Sequence, residues 1–244
     1  MENHHNEDLL HGSSAWLESV EKYLPEMVYG SIDGIVTTFA VVAGAAGANL
    51  TINIVLILGM ANLFADGLSM SIGSYLAKKA EQDNYKKHQR VEEWEIENLP
   101  DVERREIEDI YRSKGFEGKE LDMVVHRITS NKKVWLETMM KDELGLTLDV
   151  KSPLKAGFST FLSFVVAGAV PLIAYILTFT GNISLDPFVI SSMVTALTFI
   201  LIGYLKTYVT QSPPFKSILE TLFLGATAAV VAYLLGHYLE KILL

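Results

Sequence analysis

The sequence of 244 residues contains no cysteine, and this absence excludes two kinds of site. Without thiols the chain can form neither a disulfide framework nor a thiolate metal site. Any metal ion that it binds must therefore be held by oxygen, imidazole or thioether groups. The formal net charge is −9, and no pattern of basic residues points to nucleic acid as a partner.

Charged residues are missing from four long stretches, so the apolar residues are not distributed as in a soluble core. Each stretch is about long enough to cross the ~30 Å hydrocarbon core of a bilayer as a helix, at roughly 1.5 Å per residue. Glycine, alanine and asparagine interrupt the first stretch between Gly44 and Asn53, which predicts two spans joined by a turn near Asn49. The four stretches are residues 34–65, 156–185, 187–205 and 221–239.

These stretches predict an all-α, polytopic membrane protein with five transmembrane helices. The second span is expected to continue as one helix from Ile52 toward Glu97, because no stop signal follows it. The third stretch is expected to count as one span over 156–180, since its turn signals come only at Gly181 and Asn182. The predicted parts are an amphipathic segment on the membrane surface (1–26), spans one and two (27–80), a water-exposed three-helix domain (81–150) and spans three to five (151–244).

The predicted water-exposed domain, residues 81–150, holds eighteen of the 29 acidic and twelve of the 20 basic residues. Sixteen of the 20 lysines and arginines lie between Lys78 and Lys155, whereas the turns at 47–53 and 181–186 have none. By the positive-inside rule, this distribution predicts that the domain and the N-terminus lie in the cytosol.

In this domain Glu92 stands three residues from Glu95 and Glu103 three residues from Glu106, so each of these pairs lies on one helix face. Like charges at this spacing repel by about 0.2–0.5 kcal/mol per pair in an isolated helix, unless a cation lies between them. No lysine follows four residues after Glu92, Glu95 or Glu103 to neutralise it. Pro100 separates the two pairs, and such a break can turn two helices toward each other.

A third group, Met139, Met140 and Glu143, lies on a helix expected to run from Lys132 to a stop at Gly145. A divalent metal ion between the carboxylates is the first interpretation of these groups. The second is a solvated acidic face without a ligand, in which interspersed arginines neutralise the glutamates. Those arginines are Arg104, Arg105 and Arg112.

Two aspartates fall inside predicted spans, Asp33 early in the first and Asp66 in the middle of the second. A carboxylate at that depth costs about 2.5–3.5 kcal/mol on insertion scales, and neither span contains a lysine or arginine to pair with it. The aspartates therefore indicate a cation or proton pathway, or a protonated carboxyl group hydrogen-bonded between helices. Gly30 and Gly34, at GxxxG spacing, predict close helix packing and a dimer.

Three motifs stand in order along the chain: YGSIDGIVTTFAVVAG at 29–44, SMSIGSYLA at 69–77 and WLETMMKDELG at 135–145. Together they resemble the vacuolar iron transporter family, and the likeness extends through Pro153 and Pro171 to the last span, covering nearly the whole chain. Members of that family are described as dimers of five-span subunits that move ferrous iron out of the cytosol in exchange for protons. The resemblance therefore implies a transporter and not an enzyme.

The resemblance also implies roles for individual residues. Asp33 and Met70 match the family's membrane aspartate and methionine, whereas Asn62 stands where better-known members have a glutamate and Asp66 where they have a small residue. Positions 62, 66 and 70 are successive i+4 neighbours, so the pathway is predicted to include Asp33, Asn62, Asp66 and Met70. The implied metal ligands of the cytosolic domain are Glu92, Glu95, Glu103, Glu106, Met139, Met140 and Glu143.

The predicted function is export of ferrous iron, with manganese as a further substrate, across a prokaryotic inner membrane or a vacuolar membrane. No prosthetic group is expected. Thioethers favour iron, since manganese prefers oxygen ligands. The alternatives are a manganese-preferring transporter of the same fold, a membrane-anchored metal sensor and a ferritin-like iron oxidase. Such oxidases use Glu-x-x-His pairs, and neither histidine of the domain, His88 or His126, follows a glutamate at that spacing.

Overall fold

The structure, a computed structural model, describes residues 15–149, 151–181 and 185–243. Every regular element in these residues is helical, which confirms the predicted all-α class. A π-helical turn, Met139–Glu143, directly follows α5. The helices are α1 (Ala15–Gly47), α2 (Ile52–Asn98), α3 (Pro100–Ser113), α4 (Gly118–Thr129), α5 (Lys132–Thr138), α6 (Pro153–Gly168), α7 (Val170–Phe179), α8 (Pro187–Thr210) and α9 (Pro214–Leu243).

The chain divides into two compact units. We call the first the membrane unit; it consists of the chain up to Leu76 and from Ser152 onward, and contains α1, the first part of α2 and α6 to α9. We call the second the acidic unit; it is Ala77–Lys151 and contains the rest of α2 together with α3, α4 and α5.

Four helices, α1, α2, α8 and α9, are long and apolar enough to cross a membrane, and α6 with α7 makes a fifth span if the bent pair counts as one. The predicted third span over 156–180 consists of two helices, because α6 and α7 are bent by 45° at Ala169. Pro171 accounts for the bend, since proline has no N–H and its ring clashes with the carbonyl group four residues earlier, on Ala167.

Helix α1 begins earlier than the first span was expected to. A separate surface helix was predicted for residues 1–26, whereas residues 15–47 form one continuous helix with Pro25 inside it; residues 1–14 lie outside the described residues. An internal proline costs about 3 kcal/mol or more. Packing beside it offsets this cost, because Tyr23 is buried and its hydroxyl oxygen accepts a hydrogen bond of 2.9 Å from the Ser152 N–H.

Glycines let the helices of the membrane unit approach one another closely. A Cβ atom at Gly34 of α1 would collide with the backbone carbonyl of Phe164 on α6, and one at Gly47 would collide with that of Tyr233 on α9. Gly30 is equally close to Thr160 and Ser163 of α6, so the tight packing expected from the GxxxG spacing is confirmed.

The acidic unit follows the predicted order of helices, with one local difference. Helix α2 continues to Asn98 as expected, and Gly145 has a φ of +63°, a left-handed conformation that glycine adopts readily. The last predicted helix, however, ends in the π-helical turn, in which the Leu144 N–H bonds to the carbonyl of Met139, 3.2 Å away. This wider turn keeps two consecutive side chains, Met139 and Met140, in the core.

Candidate metal site and polar residues of the membrane unit

Two glutamates of the acidic unit are buried, although glutamate is rarely buried without a partner. Glu92 of α2 has 5% of its surface exposed and Glu103 of α3 has 3%. Each has one carboxylate oxygen, Oε2, that is buried and accepts no hydrogen bond from any described residue. Burying an unpaired polar group costs about 1–3 kcal/mol, and more for a charged one. Neither carboxylate therefore has a cationic partner among the described residues.

The electrostatics of the unit are dominated by carboxylates. The pKa of Glu92 is raised to about 7, by burial first and then by the charges of Glu143, Glu95 and Glu106. The pKa of Glu103 is likewise raised to about 7, by burial first and then by the same neighbours together with Glu92. The pKa of Glu143 is also raised, by burial and then by Glu106 and Glu95. All five glutamates predicted as ligands are therefore within range of one another's charges.

Two of the three arginines that could neutralise this charge have other contacts, and the third, Arg104, is exposed and forms no ion pair or hydrogen bond with a described residue. Arg112 pairs with Glu108 and Asp109 in its own helix, and Arg105 donates from Nε to the backbone carbonyl of Asp101, 3.0 Å away. Neither interacts with a predicted ligand, so the described contacts give little support to the alternative of a neutralised, solvated face.

Met139 and Met140 are almost fully buried, with 0% and 1% of their surface exposed. They belong to a hydrophobic cluster that also contains Ile96, beside Glu95 on α2, and Ile107, beside Glu106 on α3. π-Helical turns are rare and often occur at functional sites. The sequence has no proline or glycine within Met139–Glu143 that could have signalled this turn.

The predicted ligands all lie in the acidic unit, but they do not form a preorganised coordination site. Among the described residues, no three histidine, aspartate or glutamate side chains are close enough to hold one metal ion as they stand. Glu143 is exposed and Glu95 and Glu106 are half-buried, so these three have room to turn toward the buried pair. A divalent cation among them would counter the repulsion and pair with the free oxygens of Glu92 and Glu103.

The membrane unit contains a second, smaller group of polar residues. Asp33 of α1 and Asp66 of α2 are half-buried and near enough for their charges to interact. No described lysine or arginine pairs with either. Asn62, one turn before Asp66, has a buried side-chain N–H group, Nδ2, without a partner, and Met70, one turn after it, packs against the hydrophobic core. The predicted pathway residues thus share one region of the unit.

Thr37 and Thr38, one turn after Asp33, were not among the predicted pathway residues. In the structure the Thr37 hydroxyl donates to the backbone carbonyl of Asp33, 2.8 Å away. The Thr38 hydroxyl is fully buried without a partner among the described residues. Their hydroxyls were visible in the sequence, but their burial was not.

Together these features define a helical integral membrane protein with several spans and a separate acidic helical unit. The chain matches the model of the VIT family over residues 24–237, and it belongs to that family. Members of the family are transporters and not enzymes, as the sequence predicted.

Relatives cover most of the chain. It is 37% identical over 209 residues to vacuolar iron transporter 1 of Eucalyptus grandis, covering 85% of this chain and 83% of the relative. With vacuolar iron transporter 1 of Arabidopsis thaliana the identity is 35% over 216 residues, covering 88% and 85%. With the vacuolar iron transporter of Plasmodium falciparum it is 36% over 245 residues, covering 98% and 89%.

Proposed function

We propose that this chain transports ferrous iron out of the cytosol across a membrane, in exchange for protons. The names of its relatives support iron as the transported metal. The observation that carries the proposal is the pair of buried carboxylates, Glu92 and Glu103, whose free oxygens lack a cationic partner. Oxygen and thioether ligands suit ferrous iron better than zinc, which usually takes sulfur or imidazole.

In this proposal the acidic unit is cytosolic and captures the metal. Binding removes the mutual repulsion of the glutamates and draws the exposed carboxylate of Glu143 toward the buried pair. The ligands drawn together are Glu92, Glu95, Glu103, Glu106 and Glu143, with Met139 and Met140 supplying thioether sulfur after a local opening of the core.

The metal then passes along the polar residues of the first two spans. Met70 receives it, and the two aspartates, Asp33 and Asp66, exchange metal for protons because their charges interact. Asp66 does the work of the carboxylate that relatives have at position 62, and Asn62 supplies a neutral oxygen. Asp33 and Asp66 are the only carboxylates of these spans, which supports this role.

The functional form proposed here is a homodimer, as the family resemblance implies. The cytosolic placement of the acidic unit rests on the positive-inside rule, because most lysines and arginines belong to this unit and its borders. The names of the relatives support a vacuolar membrane, and an organism without vacuoles would use its inner membrane.

Manganese preference is the second candidate function, and the burial of the methionines favours it. If Met139 and Met140 stay in the core, the site has only oxygen ligands, which suit manganese. The same geometry is also compatible with a metal sensor that binds metal without transporting it. A ferritin-like oxidase is disfavoured, because the acidic unit has no glutamate–histidine pair at the spacing that such oxidases use.

Metal flux in proteoliposomes tests the proposal. Purified protein is reconstituted, and uptake of ferrous iron and of manganese is compared with and without a pH gradient, using empty liposomes as the control. We expect uptake of iron, and we expect a pH gradient of the right sign to accelerate it. Faster uptake of manganese than of iron would establish the second candidate, and metal binding without any flux would establish a sensor.

A further inference from the structure

A groove in the membrane unit lies between the beginning of α1 and the beginning of α6. Its volume of about 510 Å³ is within the range of roughly 300–1,000 Å³ that is typical of ligand sites. The lining is almost wholly apolar, with a single cationic side chain. The residues that matter here are Val20, Tyr23 and Met27 of α1 and Lys155, Phe158 and Leu162 of α6.

The cationic side chain, Lys155, has no partner among the described residues, since no ion pair or hydrogen bond involves it. The acidic residues on the neighbouring part of α1 do not neutralise it. Glu21 is exposed and, at helical spacing, points away from the face formed by Val20 and Tyr23, while Glu26 interacts with a different group. The groove therefore has an unpaired positive charge beside an apolar surface.

The outer wall of the groove is open to the surroundings of the membrane unit. Phe158 and Leu162 have 63% and 48% of their surface exposed. Leu154, one turn before Phe158 on α6, has 73% exposed. With α6 and α7 counted as one membrane span, as the sequence predicts, this wall faces lipid chains and not water. Phospholipids are then the molecules present at high concentration beside the groove.

We propose that this groove binds one anionic phospholipid, with its phosphate group at Lys155 and an acyl chain along Phe158 and Leu162. Lysines next to a membrane attract anionic lipids with about 1 kcal/mol each, which corresponds to about a fivefold preference. Lys155 stands at the lysine-rich border of the acidic unit, where the positive-inside rule predicts the anionic leaflet. The proposal needs the chain to lie in a membrane but does not depend on which ion it transports.

Native mass spectrometry of the purified full chain in detergent tests this site. The probes are phosphatidylglycerol and phosphatidylcholine with identical acyl chains. The wild-type chain is expected to bind one phosphatidylglycerol about fivefold more tightly than phosphatidylcholine, and Lys155→Gln should remove the preference. Lys155→Arg should keep it. The matched control is Lys216→Gln, which removes a lysine that is 70% exposed on α9 and outside the groove.

Three results would overturn the proposal: equal affinity of the wild-type chain for both lipids, an unchanged preference in Lys155→Gln, or an equal loss in Lys216→Gln. Lipid binding that appears only after deletion of residues 1–14 would also overturn it, because the chain's own N-terminal segment would then be the occupant. Thermal unfolding of each variant confirms that it is folded, so a folding defect is not mistaken for lost binding.

Discussion

The membrane unit and the acidic unit differ in what brings their helices together. In the membrane unit, glycines such as Gly34 and Gly47 allow backbones to touch, and the first two spans, residues 27–76, contain only two carboxylates, Asp33 and Asp66. In the acidic unit a hydrophobic cluster joins the helices, and five glutamates repel one another beside it. The membrane unit thus combines close helix packing with few charges, whereas the acidic unit has many charges and leaves carboxylates unpaired. The proposed function requires this difference, since it assigns the pathway to the membrane unit and metal capture to the acidic unit.

The largest expected effect is a loss of metal flux through the membrane unit with no change in metal binding by the acidic unit. Asp33→Asn removes the only ionisable group of the first span and should reduce metal flux in proteoliposomes to the level of empty liposomes. Metal binding by the acidic unit, measured by calorimetry on the same protein in detergent, should be unchanged. Normal flux in this variant would contradict the assignment of Asp33 to the pathway.

A second change tests whether the pathway carboxylate has moved by one turn, about 5–6 Å along α2. Asp66→Gly should abolish flux, and adding Asn62→Glu to it should restore flux, because the carboxylate returns to the position that relatives use. Both proteins must first be shown to be folded dimers. Full flux in Asp66→Gly alone would show that this stripe is not the path, and loss of folding would indicate a structural aspartate.

A third change concerns packing in the membrane unit. Gly34→Ala places a Cβ atom against the Phe164 backbone and should destabilise the protein by about 1–3 kcal/mol, the usual cost of overpacking. Gly73→Ala is the matched control, because nothing lies within 4 Å of a Cβ atom at that position. Thermal unfolding in detergent should show a clear loss for the first variant and no loss for the second.

The smallest predicted effect is a pH dependence of the acidic unit. The pKa of Glu92 and of Glu103 is about 7 in the folded chain, against an ordinary value of 4.5. The folded state therefore binds more protons than the unfolded state between these values. Stability of the metal-free unit should fall as the pH rises from about 4.5 to about 7 and change little above that.

Hydrogen exchange of the α3 and α5 amides, corrected for intrinsic rates, measures this dependence. With saturating Mn²⁺ the stability of the unit should instead rise with pH, because metal binding requires the ionised carboxylates. The double variant Glu92→Gln, Glu103→Gln should reduce the slope to the part that Glu143 contributes, because the pKa of Glu143 is also raised. A slope as steep in that variant as in the wild type would contradict the prediction.

Much of this architecture could be predicted from the sequence, because charge-free stretches and punctuating residues are local signals. The turn at Asn49, with a φ of +49°, and the stop at Gly145 are examples. The bend at Ala169 was missed because Pro171 was counted within an apolar run. The π-helical turn was missed because it depends on how Met139 and Met140 fit a core assembled from four helices.

The candidate site shows the same limit. Residue types and i,i+3 spacing predicted which glutamates share a helix face, but spacing cannot show that Glu92 and Glu103 are the buried members while Glu143 is exposed. Burial depends on how α2, α3, α4 and α5 pack into one hydrophobic cluster, which the spacing within a single helix cannot show. The ligands were therefore predicted through the family resemblance, without a ranking among them.

The central claim is that the acidic unit binds a divalent metal through its glutamates. Calorimetry of Fe²⁺ and Mn²⁺ binding to the full chain in detergent tests it most directly, comparing the wild type with Glu103→Ala, Glu106→Ala. The matched control is Glu117→Ala, Glu120→Ala, which removes an exposed pair at the same spacing in the same unit. Our account predicts that binding is lost in the first variant and kept in the control. Equal binding by all three proteins would contradict it.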